Sequence, residues 1–159
     1  MAVSVGLRLL KARINLAALT RLADRVLAAA GEVESELSIE LVGDGRMRRL
    51  NRTYRKKDRT TDVLAFPMRE ARNPHPVLLG DVVISVPTAA RQARQAGRSL
   101  DEELAALLIH GVLHLCGYDH ERGEREARRM ARRERAVFRA ISPVPRLVTT
   151  PNAGRRGTR

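Results

Sequence analysis

At 159 residues the chain suffices for one domain with a real core. Hydrophobic residues make up 43% of it, which excludes a chain disordered throughout, and no apolar run reaches the roughly 18–20 residues that span a bilayer. A formal charge of +12 points to a polyanionic partner.

Aromatic residues are 3% of the chain and tryptophan is absent, so the core must be Leu, Val, Ile and Ala. The single cysteine, Cys116, cannot form an internal disulfide. The N-terminus lacks a charged region followed by an apolar block and a cleavage site, so no signal peptide is expected. A cytoplasmic location is the matching expectation.

In chain order, Val3 to Leu10 reads as a first strand. Asn15 can cap a helix whose apolar residues Leu16, Leu19, Leu22, Ala23, Val26 and Leu27 repeat at three and four, and Gly31 ends it. Glu36 to Val42 alternates polar and apolar, the mark of a strand buried on one side. Gly43-Asp44-Gly45 reads as a turn, and Met47, Leu50 and Tyr54 predict a short helix over 46–55. Asp62 to Phe66 is a short strand closed by Pro67. Glu70 to Pro76 is a loop holding His75. Val82 to Ile84 is a strand that follows Gly80-Asp81.

Pro87 suits the first turn of a helix running to Gly97. Ser99 and Glu102 form a capping-box pattern that opens a mostly apolar, buried helix through Leu104, Leu107, Leu108 and Ile109 into His110 and His114. Residues 121–141 form a surface helix rich in Arg and Glu. From Ser142 onward there are prolines, glycines and arginines and no acid, which predicts a disordered basic tail over 142–159 behind a single domain over 1–141. Strands and helices mix without strict alternation, so the expected class is α+β, a small mixed sheet packed with helices around the histidine-bearing helix.

That helix carries the chemistry. His110, His114 and His120 are three of the four histidines. A spacing of four puts the first two on one helix face, and Gly117 can stop the helix so that the chain returns His120 toward them. Three neutral imidazoles with an open position make a catalytic metal site, with zinc as first choice and nickel or copper also compatible. The spacing resembles that of metzincin proteases, but those place a glutamate after the first histidine, where Gly111 stands here. Asp119 is the nearest carboxylate and could act as base, as an orienter of a ligand, or as a turn residue bonding its own backbone.

A second constellation lies upstream. Arg46 to Arg59 contains eight basic residues against one acid, Asp58. Arg52, Arg55, Lys56, Lys57 and Arg59 are candidate phosphate-binding residues, since arginine's planar fork matches phosphate oxygens. With few aromatics to stack on bases, binding should rest on phosphates and be salt-sensitive.

Four segments together resemble the YbeY-type bacterial endoribonucleases, the rRNA maturation factors. They are Leu50-Asn51-Arg52-Thr53-Tyr54-Arg55-Lys56-Lys57-Asp58, Thr61-Asp62-Val63-Leu64-Ala65-Phe66-Pro67, Leu79-Gly80-Asp81-Val82-Val83-Ile84-Ser85, and His110-Gly111-Val112-Leu113-His114-Leu115-Cys116-Gly117-Tyr118-Asp119-His120. Ala65 stands where serine is commoner in that pattern. The resemblance implies a metal-dependent RNA hydrolase that prefers single strands and acts in small-subunit rRNA maturation and ribosome quality control. It implies one Zn2+ on His110, His114 and His120, and a functional arginine at Arg55. The implied partners are ribosomal RNA and the small ribosomal subunit, with ribosomal proteins and an assembly GTPase as further candidates. Two other readings remain open: a non-catalytic ribosome-assembly factor with a structural metal, and a divergent metalloprotease.

Overall fold

The computed structural model describes residues 2–7, 13–68 and 77–149. The expected loop with His75 and the end of the expected first strand lie outside the described residues. The elements in order are strand β1 (Ala2–Leu7), β2 (Arg13–Ile14), helix α1 (Leu16–Ala29), β3 (Glu36–Val42), α2 (Asp44–Arg55), β4 (Val63–Pro67), β5 (Leu78–Ser85), α3 (Val86–Ala96), α4 (Leu100–Leu115), a 3-10 turn (His120–Arg122), α5 (Glu124–Ile141) and β6 (Val148–Thr149).

Four strands form one sheet in the order β1-β3-β5-β4. β1, β3 and β5 run parallel, while β4 is antiparallel to β5 and forms an edge. The alternation read in β3 is realised: Leu37, Ile39 and Leu41 are buried in the main core with α1 and α4. On the other face Val42, Leu64 and Val83 pack with Met47 of α2. The fold is thus α+β, with helices on both faces of a mixed sheet.

β5 is longer than its apolar run suggested. Gly80 and Asp81 belong to the ladder, opposite Leu37 and Ser38 on one side and Pro67 and Phe66 on the other. A Gly-Asp pair reads as a turn in isolation, but hydrogen bonding on both edges holds it extended. The expected helix over 121–141 starts at Glu124, because Gly123 adopts φ 126° and separates it from the 3-10 turn.

The tail expectation is corrected for residues 142–149. Leu147 is fully buried, and β6 pairs antiparallel with β2. Asp101 on the first turn of α4 accepts from Leu147 N at 2.7 Å and Val148 N at 2.8 Å, and Asn15 N donates to Leu147 O at 2.8 Å. Leu147 and Val148 supply the apolar anchor, and an acid 46 residues upstream of Leu147 satisfies their amides. Residues 150–159 lie outside the described residues.

Candidate metal centre

α4 is the buried axis of the molecule. Its capping box is formed: Ser99 Oγ accepts from Glu102 N at 3.1 Å while Glu102 reaches back to Ser99 N. Leu104, Leu108, Ile109, Val112 and Leu113 are all at most 1% exposed. The helix ends at Leu115, and Gly117 takes φ 99°, a conformation that costs glycine little. Tyr118 N then donates to Leu113 O, turning the chain back. Asp119 Oδ1 accepts from Glu121 N at 2.9 Å and caps the 3-10 turn that begins at His120.

This path gathers the three imidazoles. Ring centroids are 5.2 Å apart for His110–His120, 6.4 Å for His114–His120 and 6.5 Å for His110–His114. His114 Nδ1 lies 2.7 Å from the carbonyl of Tyr118. A carbonyl only accepts, so Nδ1 carries the proton and Nε2 keeps its lone pair. His110 Nδ1 lies 3.2 Å from Glu134 Oε1 on α5. Partners of this kind fix the tautomer and aim of metal-binding histidines. The hydrogen bond that His110 donates to Glu134 outweighs burial and, with the charges of Glu134 and Asp62, holds His110's proton affinity above the ordinary histidine value.

The donor set fits a divalent ion: two histidines have Nδ1 engaged and Nε2 free, and the third ring faces them. The gathering is loose. Rings sharing one ion through nitrogens at about 2.0–2.1 Å stand roughly 5 Å apart, a spacing met by His110–His120 and exceeded by both pairs involving His114. Accordingly, no group of three or more His, Cys, Asp or Glu among the described residues is closed to metal-holding distances.

The rings open on a cavity of about 270 Å³ whose far wall is the edge strand β4 at Val63, Leu64 and Ala65. Arg55, from the last turn of α2, and Glu121 complete it, with Arg55 Nη2 3.5 Å from Glu121 Oε1. Asp119 also lines the cavity, but Oδ1 is committed to the cap and Oδ2 lies 3.4 Å from Arg122 Nε. Of the other basic candidates, Arg52, Lys56, Lys57 and Arg59 are exposed beyond the cavity wall. Arg52 is 3.9 Å from Asp58, which Arg48 holds at 2.9 Å.

Gly111 has a packing reason. A Cβ there would come within 2.8 Å of Val82 Cγ1 and 3.1 Å of its Cγ2, so α4 can approach β5 only with glycine at this point. No room exists for the glutamate of a metalloprotease. Two residues escaped the sequence reading. Glu134 sits 24 positions from His110 among many similar acids and arginines, and Glu121 follows His120 with nothing to mark it.

A pocket with three histidines at the end of a buried helix and an arginine from a basic helix is the arrangement of a hydrolytic site for an anionic substrate. A family model for endoribonuclease YbeY matches residues 8–142. A Geobacter metallireducens protein named endoribonuclease YbeY is 47% identical over 141 residues, covering 87% of this chain and 94% of the relative. One of the same name from Aquifex aeolicus is 44% identical over 138 residues, covering 87% and 91%. The solution structure of a Thermotoga maritima protein superposes with a TM-score of 0.62 at 26% identity, covering 87% of this chain and 88% of that one. The chain belongs to the endoribonuclease YbeY family.

Proposed function

We propose that the protein is a zinc-dependent endoribonuclease that cleaves single-stranded RNA. Its place is small-subunit rRNA maturation and ribosome quality control in the cytoplasm. The observation that carries this reading is the meeting of Arg55 with His110, His114 and His120 in one cavity. The three imidazoles would hold the ion, which when bound supplies a Lewis acid and an activated water. Glu134 and the Tyr118 carbonyl keep two of the rings aimed. Arg55 offers its fork to the oxygens of the phosphodiester as charge develops there. Glu121 beside Arg55 and Asp119 beside His120 are the carboxylates within reach of a reacting water. Asp119's commitment to the cap favours an orienting role. Arg52, Lys56, Lys57 and Arg59 steer the strand by its phosphates. Among the described residues no helix is long and apolar enough to cross a membrane. The partners that suit a charge of +12 are ribosomal RNA and the small subunit, with ribosomal proteins and an assembly GTPase nearby.

Cleavage of a labelled single-stranded RNA by wild type, by chelator-treated protein and by His114→Ala tests the reading. Activity should vanish in the last two, and adding zinc should restore it in the chelator-treated protein and not in His114→Ala. Undiminished cleavage by a folded, metal-free His114→Ala protein would overturn it. A structural-metal assembly factor is the second reading, favoured by the absence of a dedicated base at Gly111. It requires that ribosome binding persist with no cleavage by the wild type. The room lost at Gly111 disfavours the metalloprotease reading, and absence of casein cleavage would close it.

A further inference from the structure

We propose that the groove between α4 and α5 is a nucleotide subsite that receives the RNA strand beside the cleaved phosphodiester. This rests on reading the histidine pocket as a ribonuclease site. The groove encloses about 580 Å³, against about 270 Å³ at the histidines, well within the size of ligand-binding clefts. Its floor is apolar, built from Ala106 and Ile109 of α4 and Phe138 of α5. Its rim is cationic. Arg98 reaches it from the α3–α4 connection, and Arg135 and Arg139 stand one turn apart on α5.

Arg98 is tied to the buried carboxylate of Glu103 and so held in place. Among the described residues no carboxylate lies within ion-pair distance of Arg135 or Arg139. The acid in the groove wall, Glu134, is turned to His110. Groove and pocket therefore meet across the Glu134–His110 pair, and a strand lying over that pair would occupy both. A flat apolar floor under guanidinium groups suits a ligand with a base at one end and a phosphate at the other. A small inorganic anion makes no use of Phe138, and an apolar peptide makes none of the arginines. The histidine pocket thus meets this groove at the His110–Glu134 pair and the basic end of α2 at Arg55.

The test uses the full chain with Arg135→Ala and Arg139→Ala combined. Its control of equal charge is Arg21→Ala with Arg25→Ala on the exposed face of α1. For a single strand of about twelve nucleotides, the groove variant should bind roughly tenfold more weakly than the control. The slope of log affinity against log salt should fall by roughly 1.4, two lost phosphate contacts on a single strand. KM should rise with kcat kept. Strands of about three nucleotides, too short to leave the histidine pocket, should be cleaved equally by both variants. Binding of the longer strand within twofold of the control overturns the subsite, and so does an equal loss on short and long strands. That result leaves the ribonuclease reading standing if wild type still cleaves. A wild type that neither binds nor cleaves RNA overturns both. Matching melting temperatures confirm that the comparison is between folded proteins.

Discussion

Arg55 is the residue where the two sequence constellations become one site. Its guanidinium is 40% exposed and its partner among the described residues, Glu121, stands at 3.5 Å, too far for a strong hydrogen bond. An exposed pair of this kind contributes about 0–1 kcal/mol to folding. Arg55→Ala should therefore leave the melting temperature unchanged and lower kcat for RNA cleavage by about 10²–10³-fold. A large fall in melting temperature with kcat retained would make it structural instead. Gly111 carries the opposite expectation. Its neighbours are Val82 methyls on a central strand with no space to yield, so Gly111→Ala should cost about 1–3 kcal/mol, read from denaturant midpoints. The gathering of the histidines and the turn at Gly117 were legible because they depend on local spacing. Glu134 was not, because the property that singles it out is a distance to His110 across two helices, and α5 offers many acids of the same appearance.

Secondary structure was readable wherever one element met one environment. α1, α3 and α4 announce themselves through caps and three-four spacing, and Asn15, Pro87 and Ser99 stand where they should. β5 was only half visible, since the ladder on both of its edges overrides the turn preference of Gly80-Asp81. Asp44, read as part of a turn, is the first residue of α2 and a junction between elements. Its carboxylate accepts from Ser85 Oγ at 2.7 Å, Thr88 Oγ1 at 2.6 Å and Arg91 Nη2 at 2.9 Å. Burial pushes its pKa up, but the hydrogen bonds from Thr88, Ser85 and Arg91 together hold it below the ordinary carboxylate value. A carboxylate depressed in the folded state lends stability that is complete above its unfolded pKa, near 4, and lost as pH falls through the lower folded value. Acid unfolding of Asp44→Asn followed by circular dichroism should thus show a shallower loss of stability below about pH 4 than wild type. Identical acid limbs would remove Asp44 from the account. Because the carboxylate is about a third exposed, solvent screens much of the effect.

At the scale of the whole molecule, composition misled in one place and informed in another. Among the described residues, basic side chains gather on faces that the fold leaves open: the end of α2, the rim of the α4/α5 groove and the outer side of α5. RNA affinity should accordingly fall steeply with salt, which a titration from low to physiological ionic strength would read. Residues 143–149 share that basic, proline-bearing composition and still close the fold. Composition averages over residues, whereas packing depends on one or two of them. Leu147 is buried in the main core, its amide and that of Val148 are held by Asp101, and β6 joins β2 beside the start of α1. The segment therefore ties the beginning of α4, the helix that carries the histidines, to the beginning of α1. Leu147→Ala should destabilise the protein by about 2–5 kcal/mol, the range for deleting a buried leucine side chain. An exposed tail position would give a change within about 0.5 kcal/mol. Chemical denaturation distinguishes the two, and Asp101→Ala should follow Leu147→Ala in direction because it strands two buried-side amides without an acceptor. If the strap only stabilises, kcat for RNA should survive in both variants at temperatures where they remain folded, since the histidines lie at the opposite end of α4 from Asp101.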